Sequence, residues 1–328
     1  MKKYWSLGAA ALLALTLAAC NSSDEAKEAE AETEVVENEQ TTSKAEEQAT
    51  EMTINYLGTD YTFPNPVENI VAASLEAMED AAILGVKPVG VLEVAGEIPQ
   101  YLRAELEGAM LIGDKKAPNA EAILTLDPDA IIGTSKWGEE TMTPLNKIAT
   151  TLPYSHISTN WKDNLLAFGE LAGKKEDAEK IIADYDAKAT EAKASLGDAA
   201  ADKEVLIIRV RGGIMNVYPA GVYLNPVLYE DLGLQVPEVI TKAEAQAELT
   251  LETLADLDPD VIFLQFETSE NKDAPTALED LQANPIFASL TAVKNGDMHV
   301  NTIAPLAQGG TAWSKVKFLD VAVEKLVK

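Results

Sequence analysis

An internal repeat sets the architecture that this chain can adopt. The segment 121–131 (EAILTLDPDAI) recurs 131 residues later as 252–262 (ETLADLDPDVI). In each copy the pattern predicts a short amphipathic helix, a turn at Asp-Pro-Asp and a buried strand, because proline disfavours helix in the residue before it and an apolar, β-branched run follows. Two copies in the same helix-to-strand context predict two lobes of related α/β architecture.

Local signals place further elements in each lobe. Residues 70–73 form a predicted strand that leads into a helix over 75–84, with Ser74 as its N-cap and Gly85 as its stop. In the second lobe the apolar run 205–211 predicts another strand. Two Asn-Pro pairs are expected to begin helices, with asparagine as the N-cap and proline in the first turn, at 225–226 and 284–285.

The segment between the two repeat copies predicts a long helix that joins the lobes. Residues 161–196 are rich in Glu, Lys and Ala with spaced apolar positions, and an interruption is expected near Gly173. We therefore expect an N-terminal lobe, a connecting helix and a C-terminal lobe, over residues 52–160, 161–198 and 199–328.

The N-terminus carries the pattern of an export signal. Two lysines precede an apolar stretch over 7–19 that is too short to span a bilayer, and two alanines lie directly before Cys20. This pattern predicts a signal peptide over 1–19 and lipidation of Cys20, whose alternative is an ordinary secretory signal with an unrelated cysteine. The acidic segment 20–51 predicts a disordered tether that holds the body away from the membrane.

Composition excludes several classes of function. The formal net charge of −28 argues against nucleic acid as a partner, because the chain repels polyanions. Cys20 is the single cysteine and the chain has 2 histidines, so the body has neither a disulfide nor a three-histidine metal site. Neither a glycine-rich phosphate loop nor a nucleophile elbow is present in the sequence. We expect a protein that is not an enzyme and that needs no cofactor.

Taken together, these segments resemble the solute-binding lipoproteins that serve importers of ferric siderophores, heme and cobalamin. The resemblance covers essentially the whole body, and it is strongest for siderophore-binding proteins of Gram-positive bacteria that handle hydroxamate or citrate-type carriers. The segments that carry it are 70–90, the two repeats, 209–211, 223–233 and 308–315.

The resemblance implies a fold and a set of partners. The fold is α/β, with two Rossmann-like lobes joined by a single long helix, in the manner of class III periplasmic binding proteins, and with a shallow ligand cleft between the lobes. The implied function is capture of a ferric siderophore, in which the siderophore holds the iron, and its delivery to an ABC transporter permease dimer. We expect a monomer attached to the outer face of the cell membrane through its lipid anchor. The alternatives are a binding protein for heme, cobalamin or bare ferric iron, and a surface sensor or adhesion lipoprotein.

A pair of arginines is the leading candidate for ligand contact. In the strand 205–211, residues of odd number share one face, so Arg209 and Arg211 project together near its carboxyl end. Ligands of open parallel sheets bind beyond that end of the strands. Unpaired arginines in an apolar setting are costly, so the two require carboxylates of their own or an anionic ligand.

Further side chains are expected around the same cleft. Lys136 and Trp137 follow the first repeat strand and offer a charge and a flat apolar wall. The resemblance places the loop that contains Trp313 at the cleft mouth. Tyr218 and Tyr223 flank a turn after the arginine strand and are candidate hydrogen-bond partners. For Trp137 and both tyrosines, plain core packing is the alternative.

The resemblance also implies that Glu121 and Glu252 dock the protein on the permease, one from each lobe. Both residues open the predicted repeat helices. The alternative role is a favourable charge at a helix N-terminus.

Overall fold

A computed structural model describes residues 50–115, 117–201 and 203–327. The predicted signal peptide, Cys20 and most of the predicted tether lie outside these residues. The first strand begins at Thr50, so the folded body starts two residues before the predicted boundary at Met52. Within the described residues, no helix combines the length and the apolar character needed to cross a membrane.

The described chain forms two lobes with a sheet each and an N-terminal hairpin. The strands are β1 (Thr50–Tyr56), β2 (Thr59–Asn65), β3 (Ile70–Ala72), β4 (Gly90–Glu93), β5 (Met110–Asp114), β6 (Ala117–Pro118), β7 (Ala130–Ile132), β8 (Thr151–Leu152), β9 (Val205–Arg211), β10 (Ile214–Val217), β11 (Ala247–Glu248), β12 (Val261–Phe266) and β13 (Met298–Val300). The helices are α1 (Leu75–Leu84), α2 (Ala120–Leu124), α3 (Glu139–Asn146), α4 (Trp161–Leu171), α5 (Lys175–Ala201), α6 (Glu238–Thr241), α7 (Leu251–Leu257), α8 (Ala277–Ala283), α9 (Pro285–Ala288), α10 (Thr291–Asn295) and α11 (Ala312–Leu326).

The sheet of the N-terminal lobe has its topological switch point beside β3. Its strand order is β6-β5-β4-β3-β7-β8, and all neighbours are parallel except β5 and β6. The chain runs outward from β3 through β4 and β5 to β6 and then returns to the other side of β3 as β7. This reversal leaves a crevice at the carboxyl ends of β3 and β7, where α/β sheets bind ligands.

The sheet of the C-terminal lobe is mixed and brings β9 next to β12. Its order is β11-β10-β9-β12-β13, with β9, β12 and β13 parallel and β10 antiparallel to both of its neighbours. The predicted strand 205–211 matches β9, and the buried strand predicted at the end of the second repeat is β12. Because Val210 pairs with Phe266, the loop that follows β12 reaches the end of β9.

The predicted connecting helix is two helices. Gly173 takes a left-handed φ of 64°, a conformation that favours glycine, and it separates α4 from α5. Helix α4 packs on β1 and on α1 of the N-terminal lobe. The connection to the C-terminal lobe is therefore α5 alone, with a further non-helical residue at Gly197.

The C-terminal helix α11 ties the two lobes together. Its first turn is bound by Glu79, a fully buried residue of α1. The Glu79 carboxylate accepts hydrogen bonds of 2.5 to 2.9 Å from the hydroxyls of Tyr101, Thr311 and Ser314 and from the backbone N–H of Gln308. Further along α11, Phe318 packs edge-on against Phe263 of β12, with ring centroids 5.2 Å apart. One helix therefore contacts the core of both lobes.

We predict that Glu79 makes stability depend on pH. Burial raises the pKa of Glu79 to about 7 even though four donated hydrogen bonds oppose the shift. The folded protein therefore binds a proton that the unfolded chain releases near 4.5, so this contribution to stability is fully present below pH 4.5 and is lost as the pH rises through about 7. In urea denaturation we compare the unfolding free energy of the parent with that of Glu79→Gln. The parent value minus the variant value should decrease as the pH rises from 4.5 to about 7, and it should be constant below pH 4.5 and above pH 7.

Glu179→Gln on the exposed face of α5 supplies the control, because it makes the same chemical change in solvent. A difference between the parent and Glu79→Gln that stays constant from pH 5 to pH 8 would contradict the prediction.

Candidate functional site

A cleft of about 650 Å³ lies between the lobes, at the carboxyl ends of β3, β7 and β9. Four cationic side chains line it: Lys115, Lys136, Arg209 and Arg211. Its volume is in the range of small-molecule sites. The residues that follow β3 and β7 form one wall, and those of β9 and its neighbours form the other.

The C-terminal wall is organised around the carboxylate of Glu270. Arg209 donates Nε and Nη2 to Glu270 Oε2, at 3.1 and 2.9 Å. Arg211 Nη2 and Lys115 Nζ both lie 3.2 Å from Oε1. Burial would raise the pKa of Glu270, but the charges of Arg209, Arg211 and Lys115 bring it below its usual value. One ionised carboxylate therefore holds three cations. It is the protein carboxylate that the sequence analysis gave as the alternative to an anionic ligand for the two arginines.

The two arginines differ in what they leave available to a ligand. The Arg209 side chain is 8% exposed and its guanidinium lies 5.1 Å from the ring centroid of Tyr223. The Arg211 side chain is 36% exposed. Its Nη1 donates to Gln246 Oε1 at 2.9 Å, which fixes the guanidinium on a second side. Arg211 thus presents more of its surface to the cleft than Arg209 does.

The N-terminal wall combines a lysine, an indole and a histidine. Lys136 Nζ lies 3.0 Å from Glu76 Oε1 and is more than half exposed. Trp137 lies against Gly133, the residue that follows β7. Ser135 Oγ and His156 Nδ1 share a hydrogen bond of 2.9 Å. Burial, aided by the charge of Lys136, lowers the pKa of His156, which favours the neutral imidazole.

Both candidate tyrosines line the cleft. The Tyr218 hydroxyl donates to Gln246 Oε1 at 3.0 Å. The Tyr223 hydroxyl is buried and has no hydrogen-bond partner among the described residues. The two rings are tilted, with centroids 5.3 Å apart. The Tyr223 hydroxyl is therefore an unsatisfied polar group in a residue of the cleft wall.

Gln308 and Gly310 line the cleft, but Trp313 does not. Trp313 lies in the first turn of α11 and packs on Tyr101, with ring centroids 4.9 Å apart. The loop is therefore at the cleft, whereas the indole of Trp313 lies against Tyr101, and its contact with a ligand stays a prediction.

Glu121 and Glu252 are both exposed, near the N-termini of α2 and α7. Neither lines the cleft, so both are free of the ligand site, as residues that contact a permease would have to be.

Several cleft residues were not singled out from the sequence. Among them are Glu270, Gln246, His156 and Glu76. Glu270 follows β12 by four residues, so the rule that ligands bind beyond strand carboxyl ends would have found it if applied to the second repeat. Gln246 has no local signal, because it reaches Arg211 only through tertiary structure. Lys115 also belongs to this group, because its Nζ binds Glu270 Oε1 at 3.2 Å.

The described residues contain no group of three or more His, Cys, Asp or Glu side chains arranged to hold a metal ion. The cleft lining instead holds four Lys and Arg side chains against three carboxylates, Glu76, Glu244 and Glu270, and this excess of positive charge suits an anion.

Comparison with known proteins places the chain in a family. Residues 70–300 match the family model described as periplasmic binding protein. The chain belongs to this family. Its members are solute-binding proteins, and the resemblance drawn from the sequence is confirmed.

Individual relatives narrow the group. The chain is 44% identical to the iron-uptake system-binding protein of Bacillus subtilis, over 97% of this chain and 96% of the relative. A solved structure of that organism's triscatecholate siderophore-binding protein FeuA, in complex with ferri-bacillibactin, matches with a TM-score of 0.80 and 44% identity, over 84% of this chain and 98% of FeuA. SirA of Staphylococcus aureus with staphyloferrin B, at 24% identity and a TM-score of 0.72, covers 84% of this chain and 98% of SirA and supports the class III fold alone.

We predict that Gly133→Ala displaces Trp137 from the cleft wall. A Cβ at position 133 would lie 2.4 Å from Trp137 Cζ3, so the indole must move. Loss of an aromatic contact worth about 0.5–1.5 kcal/mol should weaken ligand binding by about threefold to tenfold and shift the tryptophan emission of the unliganded protein. Gly138→Ala is the matched control, since nothing lies within 4 Å of its Cβ. Unchanged emission and affinity in Gly133→Ala would show that the wall tolerates the methyl group.

Proposed function

We propose that this protein captures a ferric siderophore of the tris-catecholate type and delivers it to an ABC importer. The observation that carries the proposal is the convergence of four cationic side chains from both lobes on one cleft. The relative with 44% identity and a TM-score of 0.80 was solved with a ferric triscatecholate, which supports the same ligand class here.

Charge favours this class of chelate over the alternatives. A ferric tris-catecholate is a trianion, because three doubly deprotonated catechols surround a trivalent ion. A neutral ferric trihydroxamate gains nothing from Lys115, Lys136 and Arg211, and would leave their charges without a partner in the ligand. The distant acidic surface of the protein matters little, since exposed charges beyond about 8 Å are largely screened at physiological salt.

The hydroxamate or citrate-type ligand expected from the sequence is therefore replaced. That expectation came from the general resemblance to siderophore-binding proteins, whereas the relative at 44% identity binds a catecholate. A titration of the unlipidated body with ferric tris-catecholate, ferric citrate-type and ferric trihydroxamate chelates, followed by tryptophan fluorescence, separates the classes. Tightest binding of the trihydroxamate would overturn the proposal.

Arg211→Ala should weaken binding of the ferric tris-catecholate by about tenfold to a few hundredfold. This corresponds to the loss of a charged hydrogen bond of about 1.5–3 kcal/mol. Arg103→Ala is the control, because Arg103 is exposed and pairs with Glu97 outside the cleft. Equal affinity of both variants and the parent would show that Arg211 serves only the structure.

The proposed delivery requires attachment and docking. Relatives described as lipoproteins support an extracytoplasmic protein held by a lipid anchor, for which Cys20 is the proposed site. We expect the protein to meet the permease dimer as a monomer, with Glu121 and Glu252 each paired to a permease arginine.

The double variant Glu121→Ala/Glu252→Ala should bind the ferric chelate as the parent does but fail to support uptake of radiolabelled iron by cells. Docking accounts for normal ligand binding together with lost uptake, because neither residue lines the cleft. Glu179→Ala/Glu191→Ala on the exposed face of α5 makes the same change in charge and should transport normally. Normal uptake by the first double variant would refute docking through these glutamates.

A further inference from the structure

Glu270 occupies an unusual position for a site that would bind an anion. Its carboxylate lines the cleft, is 7% exposed, and lies within 3.2 Å of nitrogen atoms of all three neighbouring cations. An anionic ligand in this cleft meets the same cations. Glu270 must therefore either leave or remain and repel the ligand.

The backbone around Glu270 is fixed at the end of β9. The N–H of Gly212 donates to the Glu270 carbonyl at 3.0 Å. The fully buried Asn271 donates to the carbonyls of Val210 and Glu267 and accepts the N–H of Gly213. These bonds hold the turn 268–270 against the strand, so the carboxylate stays beside the cleft when a ligand arrives.

Arg209 and Glu270 form the buried half of the cluster. Two N–H groups of Arg209 are engaged by a single oxygen of Glu270, and its guanidinium faces the Tyr223 ring. Neutralised in this way, the buried pair adds little net charge. Arg211 and Lys115 are 36% and 30% exposed and retain N–H groups that can turn to a ligand.

We propose that Glu270 is a specificity-determining residue that remains in the occupied cleft and lowers affinity for the anionic ferric chelate. It fixes the three cations in place while it cancels one of their charges. The affinity is thereby held below what the cations alone would give, which favours release of the ligand to the permease. This inference rests on the proposed function, because it assigns the ligand of the same cleft.

Glu270→Gln preserves the shape and one acceptor oxygen but removes the charge. We expect it to bind ferric tris-catecholate at least about tenfold more tightly than the parent, since Coulomb repulsion at short range in a protein is substantial. Binding of a neutral ferric trihydroxamate should stay within about twofold of the parent, because that chelate carries no charge to repel. Glu267→Gln, in the same loop but not part of the cleft lining, is the matched control and should bind both chelates as the parent does.

A pair of variants with Arg209 tests the same idea through charge balance. Arg209→Gln should weaken binding of the tris-catecholate, and Arg209→Gln/Glu270→Gln should return it to within about threefold of the parent, because the net charge of the cluster is restored. Replacing both members of a buried pair is also tolerated better than removing one. If circular dichroism shows that Glu270→Gln alone is unfolded, the affinity of the double variant tests the role of Glu270 in its place.

The titrations distinguish failure of the proposed function from failure of the role assigned to Glu270. Failure of the parent to bind any ferric tris-catecholate overturns the proposed function and this inference with it. A parent that binds, with a folded Glu270→Gln that binds equally or more weakly, overturns only the role of Glu270. A double variant as weak as Arg209→Gln overturns that role as well.

Discussion

The burial of one carboxylate, Glu79, under the start of α11 is the contact on which the arrangement of the lobes depends. It lies 229 to 235 residues from its partners Gln308, Thr311 and Ser314. A buried carboxylate is costly unless its oxygens are satisfied, and here four donors converge on it. Any shift of α11 relative to α1 would break several of these bonds at once. The contact therefore selects one arrangement of the lobes.

The same contact fixes the floor of the cleft. The backbone N–H of Gln308 donates to Glu79. The two glycines that follow pack closely against Tyr223 and Ser158. A Cβ at Gly309 would lie 2.5 Å from the Tyr223 carbonyl carbon, and one at Gly310 would lie 2.7 Å from Ser158 Oγ. Only residues without side chains allow this approach. The walls that carry Lys136 and Arg211 thus face each other across a rigid base.

Local signals in the sequence predicted much of the fold. Helix α1 begins after Ser74 and ends at Gly85, and Asn284 caps α9, because these caps are formed by neighbours in the chain. The other Asn-Pro pair also begins a helix, over residues 225–231, but the prediction of an N-cap was wrong for Asn225. Its side chain donates instead to the carbonyls of Tyr218 and Pro219, a tertiary choice that the Asn-Pro pattern does not reveal.

The site was predicted only in part, for a related reason. Alternation along β9 placed Arg209 and Arg211 on one face, and both reach the cleft. Their carboxylate, Glu270, arrives through the pairing of β9 with β12, which no local pattern specifies. The resemblance placed the loop before α11 at the cleft, which Gln308 and Gly310 line, but the position of Trp313 depends on how the helix begins. The residue types and the face of β9 that the two arginines share were accessible from the sequence, whereas the partners of each charge required the tertiary structure.

A crystal structure of the protein with a bound ferric tris-catecholate would show whether the cations of the cleft hold the chelate. We predict that the iron centre lies in the cleft between the lobes, with Lys115, Lys136 and Arg211 within hydrogen-bonding distance of the catecholate oxygens. Glu270 is expected to stay bound to Arg209. A chelate found outside this cleft, or one in the cleft that contacts none of the three cations, would contradict the account.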